Sequence, residues 1–359
     1  MLQAFSVEPA VAVDTESNSL HAYQEQVCLI QFSIPSADYL VDPLANMDLS
    51  PLGELFANPE INKVFHAAEY DVMCLKRDYN YCFENLFDTM WAARILGWPR
   101  VGLGNILKET FNVRTHKRYQ RYNWGKRPLE SGALAYACTD THYLLSLCQL
   151  ELDALIQQGR VEEAREAFSE VAASKPVFRS FSPDDFWRVK GMRDLSRREK
   201  AIVRELCIWR DQQAFQQNRP HFKVLNDHIL VALAQANPST EAEILDAGIL
   251  KSHHMRRYGT AIMQAIEQGK TAELPQRPAR NRRRPDAEVA RFQALRVWRK
   301  QTAENRGVES DIIVSNNTMW ALAEHNPRTL DALERVKELG AWKCKTYGEA
   351  ILKVLRRET

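Results

Sequence analysis

The sequence predicts an α/β domain built on a mixed sheet, followed by two small all-helical domains. Three observations support this prediction. In the front half of the chain, segments rich in β-branched and apolar residues come first, and segments with apolar residues three and four apart follow them. The back half shows helical spacing throughout and contains an internal repeat. A length of 359 residues is also more than one ordinary domain uses.

The period of the apolar residues divides the front half into predicted strands and helices. Four short segments bounded by polar turns have the composition of strands, and they are 10–16, 26–34, 38–42 and 62–67. The later segments have helical spacing, and they are 68–79, 88–98, 103–111 and a long stretch from about 128 to 173. The fourth predicted strand, 62–67, comes after the first three and leads directly into a helix. This order of strands and helices favours a mixed sheet.

The back half contains two copies of one pattern, offset by 89 positions. The matching pairs are Trp209-Arg210 with Trp298-Arg299, Asn237-Pro238 with Asn326-Pro327, and Tyr258-Gly259 with Tyr347-Gly348. Two copies are too few for a solenoid, so we expect two similar helical domains. The predicted organisation is an α/β domain over 1–173, helical domains over 196–273 and 286–359, and an Arg- and Pro-rich linker over 274–285.

Charge is distributed unevenly along the chain. Residues 1–170 contain 14 Lys and Arg against 23 Asp and Glu, whereas residues 171–359 contain 34 against 23, so the net charges are −9 and +11. An acidic front half joined to a basic back half indicates an acid-bearing site combined with modules that bind a polyanion.

The composition also argues against several classes of protein. The seven cysteines are irregularly spaced and form no CxxC pair, which disfavours a disulfide scaffold or a zinc site and favours a reducing cytoplasm. No apolar run approaches the ~20 residues that a membrane-spanning helix needs. The first residues lack a secretory signal pattern. We therefore expect a cytoplasmic protein with no membrane partner.

Two carboxylates stand at the end of the first predicted strand, where VAVDTE places Asp14 and Glu16 two residues apart. Side chains at this spacing point to the same face of a strand. Two carboxylates on one face repel each other and raise each other's pKa unless a cation lies between them. Hard oxygen ligands of this kind suit Mg²⁺ or Mn²⁺. Solvated acids in an ordinary strand-end turn remain the alternative for these two residues alone.

Further acids follow in an order that strengthens the metal hypothesis. Asp71 lies in the predicted strand-to-helix turn, five residues after His66, and Asp140 lies in an apolar helix. Tyr136 precedes Asp140 by four residues and therefore shares its helical face. Four acids that come from a strand, a turn and a helix indicate one site assembled from distant segments.

These segments resemble a known family. DTE at 14–16, HAAEYD at 66–71 and YACTD at 136–140 resemble the three motifs of the DEDD superfamily of 3′→5′ exonucleases, in its tyrosine branch. The stretch KRYQRYNWGKRPL at 117–129 resembles ribonuclease D and its eukaryotic exosome-associated relatives, and the helical repeats resemble tandem HRDC domains. One departure is Tyr122-Asn123 before Trp124, where the family usually has Ser-Asp.

The resemblance implies an RNase H-like fold and hydrolysis assisted by two divalent ions, Mg²⁺ or Mn²⁺, held by Asp14, Glu16, Asp71 and Asp140. Tyr136 would orient the attacking water. The implied activity is that of a 3′→5′ exoribonuclease that releases 5′-mononucleotides, and we expect the protein to be a monomer. The implied substrates are RNAs with a free 3′ end, such as tRNA precursors or small structured RNAs.

Several residues are predicted to contact the substrate. By resemblance to the polymerase proofreading motif, Leu20 would wedge against the terminal base and the Thr15 backbone would meet the 3′-hydroxyl, although Leu20 suits a core position equally well. His66 could contact the terminal nucleotide or serve only a structural role. Residues 101–129 contain seven cations, one acid and interleaved aromatic residues, which is the composition of a single-strand grip. The predicted contacts there are Lys117, Gln120, Trp124 and Arg127.

Two other functions remain open at this stage. A DNA exonuclease of proofreading or repair type would use the same metal acids, because RNA and DNA share the phosphodiester, and 2′-hydroxyl contacts are not visible in a sequence. A catalytically inactive RNA-binding adaptor would be expected to lose at least one of the metal acids. All four acids are present in this chain.

Overall fold

The computed structural model describes residues 1–115, 117–178, 180–277 and 284–357. The chain folds into two compact units. The first unit contains Met1–Glu16, Val27–Val177 and the described part of 281–359, and the second contains Ser17–Gln26 and the described part of 178–280. Residues 278–283 of the predicted linker lie outside the described residues. The domain limits drawn from the sequence stay a prediction.

The first unit is built on a five-stranded sheet with the strand order β3-β2-β1-β4-β5. The strands are β1 (Ala10–Ser17), β2 (Val27–Ile34), β3 (Ala37–Val41), β4 (Asn62–Phe65) and β5 (Leu86–Asp88). Strand β1 pairs with β4 in parallel, β4 pairs with β5 in parallel, and β2 pairs with β3 antiparallel. The predicted mixed sheet is therefore confirmed. The sequence analysis missed β5, because three residues are too few to show a period.

Helices surround this sheet and bury its central strands. They are α1 (Leu2–Phe5), α2 (Ser50–Ala57), α3 (Glu69–Tyr79), α4 (Thr89–Ile95), α5 (Leu103–Phe111), α6 (Ser131–His142), α7 (Leu144–Gln157) and α8 (Val161–Ala172). A 3₁₀ turn covers Lys117–Arg121. The predicted long helix is thus three helices, which are interrupted at Tyr143 and at Gly159, a residue with φ of 64°. Every residue of β2 is buried.

The second helical repeat belongs to this same unit. Its helices are α14 (Asp286–Arg306), α15 (Ser310–Ile313), α16 (Asn316–His325), α17 (Leu330–Glu334) and α18 (Ala341–Arg357). Carboxylates of α8 contact it, and Glu170 among them accepts from Lys343 at 2.7 Å. Glu163 accepts two hydrogen bonds of 2.8 Å from the Arg306 guanidinium, and Glu166 accepts from the Trp342 backbone N–H at 2.6 Å. Acidic groups at this end of α18 also interact favourably with the helix dipole.

The first helical repeat forms the body of the second unit. Its helices are α9 (Arg197–Gln216), α10 (His221–Val224), α11 (Asp227–Ala236), α12 (Glu241–Asp246) and α13 (Ser252–Thr271), preceded by 3₁₀ turns at Pro183–Arg188 and Met192–Asp194. The short segment Ser17–Gln26 packs with it through Tyr23. The Tyr23 hydroxyl donates to Asp211 at 2.7 Å, and its ring meets Phe215 edge-on at 5.5 Å.

The two repeats share a packing detail at positions that the repeat offset relates. Trp209 meets Tyr258 edge-on at 5.5 Å and 76°, and Trp298 meets Tyr347 at 5.9 Å and 74°. Trp209 is buried, and Trp298 packs partly buried against the second core. Both tryptophans therefore serve packing, as expected from their matched positions.

Within the described residues, no helix is both long enough and apolar enough to span a membrane. All seven cysteines are free thiols, and Cys82 is the exposed one among them.

We predict that Glu163→Gln lowers the free energy of unfolding by about 3 kcal/mol, because removing one charge of a buried ion pair leaves the other uncompensated. The Glu163 side chain is 3% exposed and that of Arg306 is 17% exposed. Urea unfolding measures the change. Glu162→Gln is the matched control. The Glu162 side chain is 67% exposed and that of its partner Arg165 is 70% exposed. Exposed pairs of this kind contribute under about 1 kcal/mol. Equal losses in both variants would contradict the prediction.

Candidate active site

The first unit contains an open cavity of about 790 Å³ at the end of β1. Its wall combines carboxylates, cations and one tyrosine. The lining residues are Asp14, Thr15, Glu16, His66, Gly102, Leu103, Gly104, Asn105, Lys108, Arg114, Thr115, Lys117, Gln120, Tyr136 and Asp140. The cavity thus brings together residues that are more than 120 positions apart in the chain.

Three separate elements supply the acids. The buried run of β1 ends at Val13, so the alternation of the strand carries Asp14 and Glu16 to one face as the strand leaves the core. Asp140 reaches the cavity from α6. Asp71 lies in the first turn of α3 and is 7% exposed, and it accepts a hydrogen bond from the Thr15 hydroxyl. Asp71 therefore sits behind the wall and is tied directly to β1.

The four carboxylates influence one another electrostatically. Burial, followed by repulsion from Asp71, Asp140 and Glu16, raises the pKa of Asp14 well above its usual range. Burial and the charges of Asp140 and Asp71 raise the pKa of Glu16 to about 9. Burial raises the pKa values of Asp71 and Asp140 to about 7. Without a cation, this point of the fold thus disfavours the ionised forms of the four acids.

Tyr136 stands one helical turn before Asp140 on α6. Burial and the nearby charges of Asp140, Glu16 and Asp14 raise the pKa of its hydroxyl, which therefore stays protonated at neutral pH. A hydrogen bond from this hydroxyl lowers the pKa of Asp140. Tyr119 and Trp124 pack against the Tyr136 ring at centroid distances of 5.8 and 6.3 Å. The ring is thus held in place from behind, and the hydroxyl faces the acids.

The turn that presents His66 and begins α3 is fixed by Asp88, a residue that the sequence analysis did not single out. The buried Asp88 carboxylate accepts backbone N–H groups of Ala67 at 3.0 Å and Ala68 at 2.8 Å, and it also caps α4. The His66 ring contacts the Thr89 hydroxyl at 2.8 Å. Burial lowers the pKa of His66 to about 4. An aspartate directly before a helical run is an N-cap signal, and that signal could have identified Asp88.

The cavity also contains groups that are suited to an anion. Gly102, Leu103 and Gly104 line it at the start of α5, a helix that has no side-chain N-cap. Backbone N–H groups at such a helix start attract negative charge. Lys108, Arg114 and Lys117 add three positive charges, and Gln120 adds an amide. The sequence analysis recognised the cations as a basic strip but assigned no role to the start of α5.

Three of the predicted substrate contacts do not lie on this wall. Trp124 is 1% exposed and packs beneath Tyr136, so its ring offers no face for a base to stack on. Arg127 pairs with Asp42 and donates to the carbonyls of Cys28 and Trp124. Leu20 is 40% exposed and belongs to the second compact unit. The basic segment 101–129 therefore contains some residues that line the cavity and others that only pack or pair within the protein.

The donor set of the cavity fits a divalent metal by its chemistry. Clustered carboxylate oxygens are the hard ligands that Mg²⁺ and Mn²⁺ prefer, and a cation would remove the repulsion that raises their pKa values. As positioned, no three His, Cys, Asp or Glu side chains in the described part of the chain already form a metal-binding group. By the chemistry of their side chains, the four acids described above are the residues that could hold an ion.

Comparison with known families defines the class of this protein. A family model described as 3′-5′ exonuclease matches residues 1–153, and the HRDC domain model matches residues 199–266 and 288–355. Together with the mixed sheet and the acidic cavity, these matches define a 3′-5′ exonuclease domain followed by two HRDC domains.

Individual relatives narrow the class to one family. Ribonuclease D of Desulfotalea psychrophila is 31% identical over 76% of this chain and 74% of its own length. Ribonuclease D of Acidiphilium cryptum is 29% identical over 97% and 88%. The chain belongs to the ribonuclease D family, as its motifs predicted. The crystal structure of Escherichia coli RNase D, 24% identical, matches 99% of this chain with a TM-score of 0.68, which confirms the fold class.

The raised pKa values predict a pH-dependent stability. In the presence of a chelator, Glu16→Gln should be more stable than the wild type at pH 8 by at least about 1 kcal/mol, the equivalent of one pKa unit. The folded-state pKa of about 9 exceeds the unfolded value. The contribution of Glu16 to the stability of the wild-type protein is therefore complete below about pH 4, and it is lost as the pH rises toward 9.

Urea unfolding between pH 4 and 8 measures this difference, which should vanish at pH 4. Glu54→Gln, an exposed acid on α2, is the control and should show no pH-dependent difference from the wild type. Parallel stability profiles for Glu16→Gln and the wild type would contradict the prediction.

Proposed function

We propose that this protein is a metal-dependent 3′→5′ exoribonuclease that releases 5′-mononucleotides from RNA with a free 3′ end. One observation carries the proposal. Asp14, Glu16, Asp140 and Tyr136 line the same cavity as three cations and an uncapped helix start. Carboxylates and anion-binding groups within one cavity suit a phosphodiester that must be bound and attacked at the same place.

The chain's own residues would bind the substrate first. The start of α5, with Lys108, Arg114 and Lys117, would receive phosphate oxygens, since all of these groups line the cavity. The Thr15 backbone, His66 and Gln120 are the proposed contacts for the terminal nucleotide. His66 would act as a neutral ring at physiological pH because burial keeps its pKa near 4. Leu20 stays a proposed base contact.

The carboxylates would supply the ligands for catalysis. Asp14, Glu16, Asp71 and Asp140 would hold two ions, for which Mg²⁺ or Mn²⁺ is the proposed identity. When bound, such ions acidify a water molecule and neutralise charge on the leaving oxygen. Tyr136 would orient that water through its hydroxyl. Its raised pKa keeps the proton on the phenol, which makes it a hydrogen-bond donor and acceptor rather than a base.

The proposal also covers the biological substrates, the oligomeric state and the cellular location of the protein. Ribonuclease D relatives support RNA as the substrate class, and tRNA precursors or small structured RNAs are the proposed substrates. We also propose that the protein acts in the cytoplasm, which the free thiols support, and that it acts as a monomer.

We predict that Asp14→Asn lowers the rate of RNA hydrolysis on the order of 10³-fold or more, while RNA binding persists, because the substitution removes a metal ligand without changing size. Release of labelled mononucleotide from a 3′-tailed tRNA measures hydrolysis, and fluorescence anisotropy measures binding. Asp153→Asn, an exposed acid on α7, is the control and should match the wild type.

A wild-type rate in Asp14→Asn would disprove the assignment of the carboxylates. The same assay with a DNA strand of matched sequence tests the substrate class. Equal digestion of the DNA strand would move the assignment to a DNA exonuclease.

Tyr136→Phe should reduce kcat by about 10²-fold with little change in KM, because the hydroxyl acts on the attacking water and not on substrate binding. Steady-state hydrolysis of a labelled RNA measures both constants. Tyr143→Phe is the matched control, since the Tyr143 ring stacks on Phe111 and is not among the residues that line the cavity. An unchanged kcat in Tyr136→Phe would remove Tyr136 from the proposed mechanism.

A further inference from the structure

The second compact unit contains a cavity of about 960 Å³ that the proposed catalysis does not use. It forms where the segment before α9 meets the chain leaving α13. Its lining consists of Trp187, residues 189–194, Arg197 and Lys200 on α9, Pro275 and Arg277. We refer to this space as the cationic cavity.

The charge of the cationic cavity is strongly one-sided. Its lining includes a single acid, Asp194, and five basic residues, which are Lys190, Arg193, Arg197, Lys200 and Arg277. Lys200 donates to the Leu195 carbonyl. Among the residues that the structure describes, no ion pair involves the other four cations. Other arginines of this unit do have carboxylate partners, such as Arg210 with Asp227 at 2.8 Å. The cavity therefore concentrates positive charge that a bound anion would neutralise.

The segment that carries these cations has a fixed shape. Phe186, Val189, Met192 and Leu195 are buried at every third position. The residues between them, including Lys190 and Arg193, are exposed, except for the half-buried Trp187. Phe186 also packs against Trp187 with ring centroids 4.5 Å apart. The apolar anchors hold the backbone in one conformation, so little ordering entropy would be lost when an anion binds to the cations.

The internal repeat serves as a comparison. Helices α9 and α14 begin at equivalent positions, Arg197 and Asp286, which differ by the repeat offset. The second repeat thus has an acid where the first has Arg197, and Val289 where the first has Lys200. Arg197 and Lys200 are therefore a property of the first repeat and are not required by the helical fold that both repeats share.

We propose that the cationic cavity binds the phosphate backbone of the RNA substrate away from its 3′ end. The inference rests on the proposed exoribonuclease function and adds a second binding site to it. A chain of phosphates suits an open cavity with several separate cations better than a compact anion does. Because backbone contacts carry no base information, binding here is independent of sequence.

Charge reversal tests the proposal. The double variant Arg193→Glu/Arg197→Glu should bind a fluorescein-labelled 20-nucleotide RNA about tenfold more weakly, with a salt slope reduced by about 1.4, or about 0.7 for each lost phosphate contact. Anisotropy titrations with EDTA present, at several salt concentrations, measure both values. Glutamate in the first turn of α9 is compatible with the helix dipole, and circular dichroism checks that the variant is folded.

Lys251→Glu/Arg256→Glu is the matched control, because it reverses two exposed cations at the start of α13 in the same unit with the same change in net charge. The control should leave the salt slope within about 0.3 of the wild type. Equal loss of RNA affinity and slope in both double variants would show a general charge effect and overturn the proposal. An unchanged affinity in Arg193→Glu/Arg197→Glu would overturn it as well.

Hydrolysis of a trinucleotide separates this inference from the proposed function. A trinucleotide is too short to need a second site, so the Arg193→Glu/Arg197→Glu variant should cleave it at the wild-type rate. A wild-type protein that cleaves no trinucleotide yet binds the long RNA through the cationic cavity would contradict the exoribonuclease proposal alone. Slower trinucleotide cleavage in the double variant, with normal long-RNA affinity, would contradict the cationic cavity alone.

Discussion

Repulsion among four carboxylates at the end of β1 is the constraint on which the rest of this structure depends. Burial raises the pKa of each of them, and the charges of neighbouring acids raise the pKa of Asp14 and Glu16 further, so the fold holds together groups whose charged forms are disfavoured. Such a cluster persists only when the surrounding structure positions its members firmly. The proposed role of these acids in holding cations would explain why the chain keeps them in place of stabilising apolar residues.

The supporting contacts show how that positioning is achieved. Asp71 is tied to β1 through the Thr15 hydroxyl, and the turn before α3 is fixed by the buried Asp88. Behind Tyr136, aromatic packing by Tyr119 and Trp124 replaces the solvent-exposed stacking surface that the sequence indicated. The site is therefore rigid on its acidic side, where the geometry of the ligands determines the chemistry.

The two helical repeats have diverged in the contacts they make. The second repeat packs with the sheet through α8, where Glu163 and Glu166 contact Arg306 and the start of α18. The first repeat packs with the segment Ser17–Gln26, which follows the first acidic motif, and it carries the cationic cavity. Duplication of one fold thus allowed one copy to become part of the nuclease body and the other to present positive charge.

The sequence by itself determined the mixed sheet, the duplicated helical repeats and the family, because period, repeat offset and motif order are properties of the chain alone. It did not show the three-residue strand β5, since so short a segment has no period. Only the tertiary structure decided which basic residues face a cavity. Lys117 and Arg127 look alike in sequence, yet one lines the cavity and the other pairs with Asp42, because burial and partners depend on segments far away in the chain.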